Sequence, residues 1–273
     1  MSSRPPNPGF LESLYYRCYD FGVLPFYDMF ILHVTCSRAW KAPLTTLLPF
    51  FRAHFSDNHL DMGVGTGFFP ATVLAEKEPA KQQLTLLDLS TTALAKTKRR
   101  VEAAAPHVAV RTIEADATAL PAMYSANRFD SISASLLLHC IPAPATAKMR
   151  GLVATARQLL SSGGVFYGAT VLGETARKST VPSATIDFLP GGEVSFGVTG
   201  EAESAKGLNI FGRLLMWFYN RSGIFTNWED KPDAFVEVLE EGFEVVDSWV
   251  IGRILLFRAR GPRPLGPDSP KLF

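Results

Sequence analysis

Three glycines at alternate positions, Gly63, Gly65 and Gly67, follow a short apolar run that contains Asp61. Glycine lets the main chain turn sharply and lets a ligand approach the backbone closely. A helix that begins after such a turn offers unpaired N–H groups to that ligand. The dinucleotide fingerprint needs glycine or alanine where this chain has Phe68. The spacing therefore predicts a ligand-binding strand–helix turn and argues against a nicotinamide dinucleotide.

Two further carboxylates follow predicted strands. Asp88 ends the second apolar run, where a carboxylate can accept hydrogen bonds from both hydroxyls of a ribose. Asp116 follows the third run and is placed to meet an adenine amino group. Each acid alone also fits a plainer role, because Asp88 can cap a helix and Asp116 can be a surface loop residue.

The stretch from Ser135 to His139 should emerge at the carboxyl end of the fourth strand, the edge where open α/β sheets bind ligands. An imidazole there can act as a base near neutral pH, because its pKa needs little adjustment. A purely structural role for His139 is left open. Cys140 lacks positioned partners and is expected to be a buried bystander. His59, at the start of a strand, is expected to be solvated.

Short apolar runs alternate with amphipathic stretches of helical length between residues 58 and 171. This alternation predicts βαβ units and a parallel sheet. The predicted strands are His59–Met62, Gln83–Leu87, Val108–Ile113, Phe129–Ser135 and Gly164–Val171, and the predicted helices between them are Phe69–Lys77, Thr91–Ala105 and Thr146–Leu160. Residues 178–207 are rich in Gly, Ser, Thr and Pro and predict a long loop. Two closing runs, Phe243–Val250 and Arg253–Ala259, are joined too tightly for a parallel crossover and should pair antiparallel.

Taken together, these motifs resemble the class I S-adenosylmethionine-dependent methyltransferases over residues 57–260. The family's DxGxGxG loop matches the stretch from Asp61 to Gly67, its ribose acid matches Asp88, and its adenine-side acid matches Asp116. Its LxPGG turn matches residues 160–164, with Ser162 where proline is usual. The resemblance implies an α/β fold with a Rossmann-like sheet of order 3-2-1-4-5-7-6, in which strand 7 is antiparallel. Apolar residues at helical spacing predict an N-terminal helical cap (1–56), and the prolines of the C-terminal stretch predict a flexible tail (261–273). The segment after strand 5 (about 178–207) is longer than the family pattern requires and is expected to be an inserted lid region.

The same resemblance implies S-adenosylmethionine as the cofactor, S-adenosylhomocysteine as its product, and no metal. Tyr19 falls in the aromatic segment that many members fold over the cofactor. His139 is the candidate catalytic residue. The implied cofactor-binding residues are Tyr19, Asp61, Gly63, Gly65, Gly67, Asp88, Leu89, Asp116, Ala117 and Ser135.

Charge and cysteine content narrow the class of partner. Lys plus Arg number 27 against 26 Asp plus Glu, a net charge of +1, so no global field is available to hold nucleic acid or an anionic membrane. The three cysteines lie far apart without metal or redox spacing, which suits a reducing compartment. We expect a cytoplasmic protein with a small-molecule substrate and without nucleic-acid or membrane partners, and leave homodimer formation open.

The resemblance points to small-molecule methyltransferases of microbial secondary metabolism. We therefore expect methyl transfer to a small apolar or aromatic metabolite, with the O, N or C acceptor atom undetermined. Five aromatic residues are expected to line the acceptor site: Phe211, Trp217, Phe218, Tyr219 and Phe225. Two alternatives stay open. One is a methyltransferase-like cyclase or pericyclase that keeps the cofactor without transferring its methyl group, and the other is a non-catalytic partner subunit.

Overall fold

The centre of the molecule is a parallel sheet built from the alternating runs of the sequence. The computed structural model describes residues 29–77, 81–124, 128–176, 179–188, 194–200 and 208–264. Its first five strands are mutually parallel and lie in the order β3-β2-β1-β4-β5. They are β1 (Asn58–Met62), β2 (Gln83–Asp88), β3 (Ala109–Glu114), β4 (Phe129–Ser135) and β5 (Leu160–Val171).

The closing hairpin lies beside β5. After β6 (Ser183–Phe188) and β7 (Val194–Gly200) in the chain come its two strands, β8 (Phe243–Ile251) and β9 (Ile254–Pro262). β9 pairs antiparallel with both β5 and β8. The strands common to the family therefore run β3-β2-β1-β4-β5-β9-β8. This order, with its antiparallel strand next to β5, confirms the predicted fold class.

The insertion after β5 adds two strands to the far edge of the sheet. β6 (Ser183–Phe188) and β7 (Val194–Gly200) form an antiparallel hairpin, and Ser183 pairs in parallel with Val250 of β8. The prediction of a continuous loop over 178–207 is wrong for these two segments, because pairing with each other and with β8 overrides their loop-like composition. Its role as a lid stays a prediction.

Helices cover both faces of the sheet. They are α1 (Leu44–His54), α2 (Phe68–Glu76), α3 (Thr91–Ala104), α4 (Ala145–Leu159), α5 (Ile210–Arg221) and α6 (Pro232–Gly242), with a π-helix (Met29–Ala39) before α1. One hydrophobic cluster packs α1, α2, α3 and α5 against one face, and a second packs α4 and α6 against the other. Neighbouring β5 residues divide between the two clusters, since Tyr167 lies in the first and Phe166 in the second.

Helix α5 leaves much of its apolar surface exposed. Met216 and Tyr219 enter the core, whereas Ile210, Leu214 and Trp217 are 80%, 63% and 58% exposed. No helix within the described ranges is both long enough and apolar enough to cross a membrane.

Candidate functional site

The glycine loop between β1 and α2 adopts the sharp turn that its sequence requires. Gly63, Gly65 and Gly67 have φ values of 72°, 51° and 69°, a region that favours glycine. The Gly63 N–H donates to the Leu87 carbonyl at 2.8 Å, which ties the loop to β2. Gly67 immediately precedes α2, so the loop leads directly into the amino end of a helix.

Close neighbours leave no room for side chains on the first and last glycines. A Cβ on Gly63 would lie 2.5 Å from Leu137 Cδ1, and a Cβ on Gly67 would lie 2.6 Å from Thr97 Cγ2. Leu137 follows β4, where Leu136 has a φ of 58°. The turn after β4 is thus packed directly against the glycine loop.

Asp88 ends β2 with its half-buried carboxyl facing the glycine loop. The Ser90 N–H donates to Asp88 Oδ1 at 2.8 Å. Burial raises the pKa of Asp88, and N–H groups of Ser90, Gly65 and Val64 oppose that rise by hydrogen bonding to the carboxylate. The predicted ribose acid and the predicted glycine loop are therefore adjacent.

Asp116 and Ala117 lie at the next strand end. Parallel pairing sets Asp88 opposite Glu114, and the Ala115 N–H donates to the Asp88 carbonyl at 3.2 Å. The carboxylate of Asp116 is exposed and accepts hydrogen bonds from the Thr118 N–H at 2.8 Å and the Thr118 hydroxyl at 2.7 Å. Ala117 is buried, and Leu89, after β2, is exposed.

Asp61 is buried beneath the loop and belongs to a polar cluster that was not predicted from the sequence. The Ser133 hydroxyl donates to Asp61 Oδ1 at 2.5 Å. Burial raises the pKa of Asp61 to about 7, the hydrogen bond from Ser133 lowers it, and the nearby charge of Asp88 raises it further.

His59 belongs to the same cluster, and its place there was not predicted. It lies within β1 and is fully buried, so the expectation of a solvated side chain is wrong. Its ring nitrogens contact Ser131 and Ser133, and burial lowers its pKa to about 3. A signal was present in the sequence, because His59 and Asp61 alternate with apolar residues and must share one face of a strand.

The carboxyl end of β4 presents Ser135 and the turn that carries His139. Ser135 is half-buried and pairs with Ala169 of β5. His139 is buried, and its ring centroid lies 4.3 Å from that of Phe225. Burial lowers the pKa of His139 to about 3, and the charge of Lys148 acts in the same direction. The expectation of a pKa near neutrality is therefore wrong.

The backbone around His139 ties this turn to the segment after α5. The Thr226 N–H donates to the His139 carbonyl at 2.8 Å. Burial raises the pKa of the neighbouring Cys140 to about 12, so this thiol stays protonated, in keeping with its expected bystander role. Tyr19 lies outside the described residues.

A cleft of about 430 Å³ opens beside this turn, between the start of α4 and the end of α5. Phe225 and Trp228 supply aromatic walls, and the polar lining residues include Asn220, Thr226, Glu229 and Asp230. Within the described ranges, no three His, Cys, Asp or Glu side chains are grouped to hold a metal ion.

Residues 60–164 match the family described as "Methyltransferase domain". The chain is 36% identical over 268 residues to O-methyltransferase NEC2 of Pyricularia oryzae, covering 88% of this chain and 89% of that protein. It is 34% identical over 242 residues to the physcion biosynthesis cluster O-methyltransferase of Aspergillus chevalieri, covering 88% and 92%. A solved O-methyltransferase family protein from Burkholderia thailandensis shares the fold, with a TM-score of 0.56 at 14% identity over 90% of this chain and 62% of that one.

Proposed function

Since the chain belongs to the class I S-adenosylmethionine-dependent methyltransferases, we propose that it methylates an oxygen atom of a small aromatic or apolar secondary metabolite. The observation that carries this proposal is the meeting of the glycine loop, Asp61 and Asp88 at the same sheet edge as the turn that borders an aromatic cleft. Oxygen as the acceptor atom is supported by two relatives whose names specify O-methyl transfer.

The residues at the glycine loop fit the cofactor. The positive φ values and the tight packing of Gly63 and Gly67 leave a backbone surface that a ligand can approach closely. S-adenosylmethionine is cationic at its ammonium and sulfonium groups, and when bound it supplies an activated methyl group. The buried carboxyl of Asp61 suits the ammonium, and the carboxylate of Asp88 suits the ribose hydroxyls.

The remaining predicted residues complete the proposed cofactor site. Asp116, Ala117 and Leu89 would border the adenine, and Ser135 would face the methionine end from β4. Tyr19 stays a prediction from the family resemblance.

Replacing Asp88 with alanine should weaken S-adenosylmethionine binding about tenfold to hundredfold, because a hydrogen bond to a charged group contributes roughly 1.5–3 kcal/mol. Calorimetric titration measures this change. Asp130→Ala is the matched control, since that carboxylate bonds Ser161 at the far end of β4, away from the glycine loop. Equal affinities of Asp88→Ala and wild type would remove Asp88 from the site.

We propose that the acceptor binds in the cleft beside His139. Phe225 forms part of the cleft wall and packs against the His139 ring, so the cleft adjoins the ligand-binding edge of the sheet. Phe225 and Trp228 suit an aromatic acceptor, while Asn220 and Thr226 can bond its polar substituents. The main catalytic contribution of the protein is then to hold acceptor and donor in line, which is worth an effective molarity of about 10⁵ M or more.

Of the two roles left open for His139, burial favours positioning over proton transfer. Its Nδ1 lies 3.4 Å from both the Val171 N–H and the Thr170 hydroxyl, and its carbonyl accepts from Thr226. An imidazole whose pKa is lowered to about 3 is neutral at neutral pH and is a weak base there. We therefore propose that His139 orients Phe225 and Thr226 at the wall of the cleft.

His139→Gln should accordingly reduce kcat by less than about tenfold, whereas loss of a general base typically costs about 10²–10⁴ in rate. The kcat of wild type should also show no titration from this group near neutral pH. Steady-state kinetics and the cofactor Kd are measured together. A loss of about hundredfold or more at unchanged Kd would instead identify His139 as the base.

The reaction itself is tested with methyl-¹³C S-adenosylmethionine and a panel of simple polyphenols. A labelled methoxy carbon in the product supports O-methylation, and a labelled N-methyl or C-methyl carbon changes the acceptor atom. A product of unchanged mass, formed while the cofactor is not consumed, would support the cyclase or pericyclase alternative. Failure to bind the cofactor would support a non-catalytic subunit.

A further inference from the structure

A row of buried polar side chains runs away from Asp61 into the protein. Parallel pairing of β1 and β4 sets His59 opposite Ser131 and Asp61 opposite Ser133, and all four side chains are buried. Ser131 Oγ lies 2.6 Å from His59 Nδ1, His59 Nε2 lies 2.9 Å from Ser133 Oγ, and Ser133 Oγ lies 2.5 Å from Asp61 Oδ1. The four groups form one unbroken hydrogen-bonded chain.

An ionised Asp61 fixes the direction of every hydrogen bond in this chain. A carboxylate only accepts, so the Ser133 hydroxyl donates to Asp61 and must accept from His59 Nε2–H. A neutral imidazole has one N–H, so its Nδ1 accepts from the Ser131 hydroxyl. Ser131 Oγ also accepts from the Ser56 N–H at 2.9 Å. With Asp61 charged, His59 is therefore the Nε2–H tautomer.

A protonated Asp61 reverses the same chain without leaving a group unsatisfied. Asp61 then donates to Ser133, Ser133 donates to Nε2, and His59 Nδ1–H donates to Ser131. The Ser131 hydroxyl can in turn donate to Ser56 Oγ, which lies 2.7 Å away. Both protonation states of Asp61 are thus accommodated, and they differ in the tautomer of His59.

The side chains around this hydrogen-bonded chain allow both protonation states of Asp61. The rings of Phe51, Phe55 and Tyr167 pack around the His59 ring. Among the described residues, three charged or titratable groups face the hydrogen-bonded chain. The charge of Asp88 raises the pKa of Asp61, and the charge of Lys77 lowers the pKa of His59. The pKa of the Tyr167 phenol is raised by burial and by Asp61. His59 accordingly stays neutral, while the pKa of Asp61 is about 7.

We propose that His59 and Ser133 are positioning residues that couple the ionisation of Asp61 to cofactor binding. This proposal rests on the proposed placement of S-adenosylmethionine at the glycine loop. A cation next to a buried carboxyl favours the ionised form. On binding, Asp61 gives its proton to Ser133 while Ser133 gives its own to His59 Nε2. His59 Nδ1 gives its proton to Ser131, and Ser131 gives its own to Ser56 Oγ. The half-buried Ser56 then releases one proton to solvent, which leaves Asp61 ionised and His59 as the Nε2–H tautomer.

The direct test is ¹⁵N NMR of wild-type protein with labelled histidine, at a pH below the pKa of Asp61. Without cofactor, His59 should be the Nδ1–H tautomer, and S-adenosylmethionine should convert it to Nε2–H. Raising the pH without cofactor should produce the same change. A His59 tautomer that is unaffected by both cofactor and pH would overturn the proposal, and this measurement requires no variant.

Calorimetry in buffers of different ionisation enthalpy then counts the protons released. At a pH below the pKa of Asp61, wild type should release close to one proton per cofactor bound. At a pH above that pKa it should release almost none. His59→Leu should weaken binding by about tenfold and move the midpoint of the pH dependence of Kd upward, because the chain no longer supports the charged carboxylate. His54→Leu is the matched control, since His54 packs on Tyr167 but bonds the Phe50 carbonyl instead of the chain.

The outcomes separate this proposal from the one on which it rests. Wild type that binds S-adenosylmethionine without releasing a proton overturns the coupling alone. Identical pH profiles of His59→Leu and His54→Leu do the same. Wild type that does not bind the cofactor overturns the placement at the glycine loop and the coupling together.

Discussion

Lys148→Met should lower the free energy of unfolding by about 3–5 kcal/mol, because it leaves the charge of Asp230 buried without a partner. The two side chains are 0% and 4% exposed, with Lys148 Nζ 2.6 Å from Asp230 Oδ2. Lys148 Nζ also donates to the Thr226 carbonyl at 3.1 Å, so the pair fixes the segment that borders the cleft. Urea unfolding monitored by circular dichroism measures the loss.

A surface pair on the same helix gives the matched control. Arg150 bonds Glu241 at 3.1 Å with both side chains half or more exposed, so Arg150→Met should cost less than about 1 kcal/mol. The double variant Lys148→Met with Asp230→Leu should recover most of the loss, since no buried charge remains. Equal losses for Lys148→Met and Arg150→Met would contradict the assignment of a tight buried pair.

The pH dependence of the variant follows from the state of Asp230. Burial raises the pKa of Asp230 to about 6 even with Lys148 present, and Lys148 lowers it. Without Lys148 the pKa rises further, and the folded state then binds a proton that the unfolded state releases. The stability lost by Lys148→Met should therefore shrink as the pH falls through that raised pKa.

Gly63→Val should reduce affinity for S-adenosylmethionine by about thirtyfold or more, because left-handed strain of roughly 1–2 kcal/mol and overpacking of roughly 1–3 kcal/mol favour a loop geometry other than the binding one. The φ of 72° disfavours valine, and its Cβ would start 2.5 Å from Leu137. The glycine loop or the turn after β4 must then move, and both border the proposed cofactor site. Calorimetry measures the affinity, and thermal unfolding measures the accompanying loss of stability.

Gly163→Val separates strain from clash. Gly163 has a φ of 85° and lies near the start of β5, away from the glycine loop. Among the residues that the structure describes, no atom would lie within 4 Å of a Cβ at this position. This variant should lose stability through strain while keeping its affinity for the cofactor. Wild-type affinity in Gly63→Val would show that the loop is not where the cofactor binds.

The parts of this fold that follow local rules are predictable from sequence. Helix α1 begins directly after Pro43, and β8 and β9 pair antiparallel as their tight connection implies. The β6–β7 hairpin was not predicted, because Gly and Ser lower strand propensity and the attachment to β8 is a tertiary contact at Ser183.

The buried polar side chains were not predicted because their partners lie far away in the sequence. His59 looked like a strand-flanking residue, and only the register of β1 against β4 shows that Ser131 and Ser133 satisfy both of its nitrogens. Lys148 can be recognised as buried only when its partner Asp230, far along the chain, is known. In contrast, the glycine loop and Asp88 were predictable, because turn geometry and strand ends are local properties of the sequence.

The order of strands also determines how the newly made chain can assemble. Among the strands that the structure describes, β5 occupies the middle of the sheet, yet its antiparallel neighbour β9 is synthesised last. While the β6–β7 hairpin, α5 and α6 emerge from the ribosome, one edge of β5 has no partner from its own sheet. Open strand edges recruit other chains, and pairing between distant segments is slow. Nascent protein is therefore most prone to aggregate during this interval, and truncation within β9 would make that vulnerable state permanent.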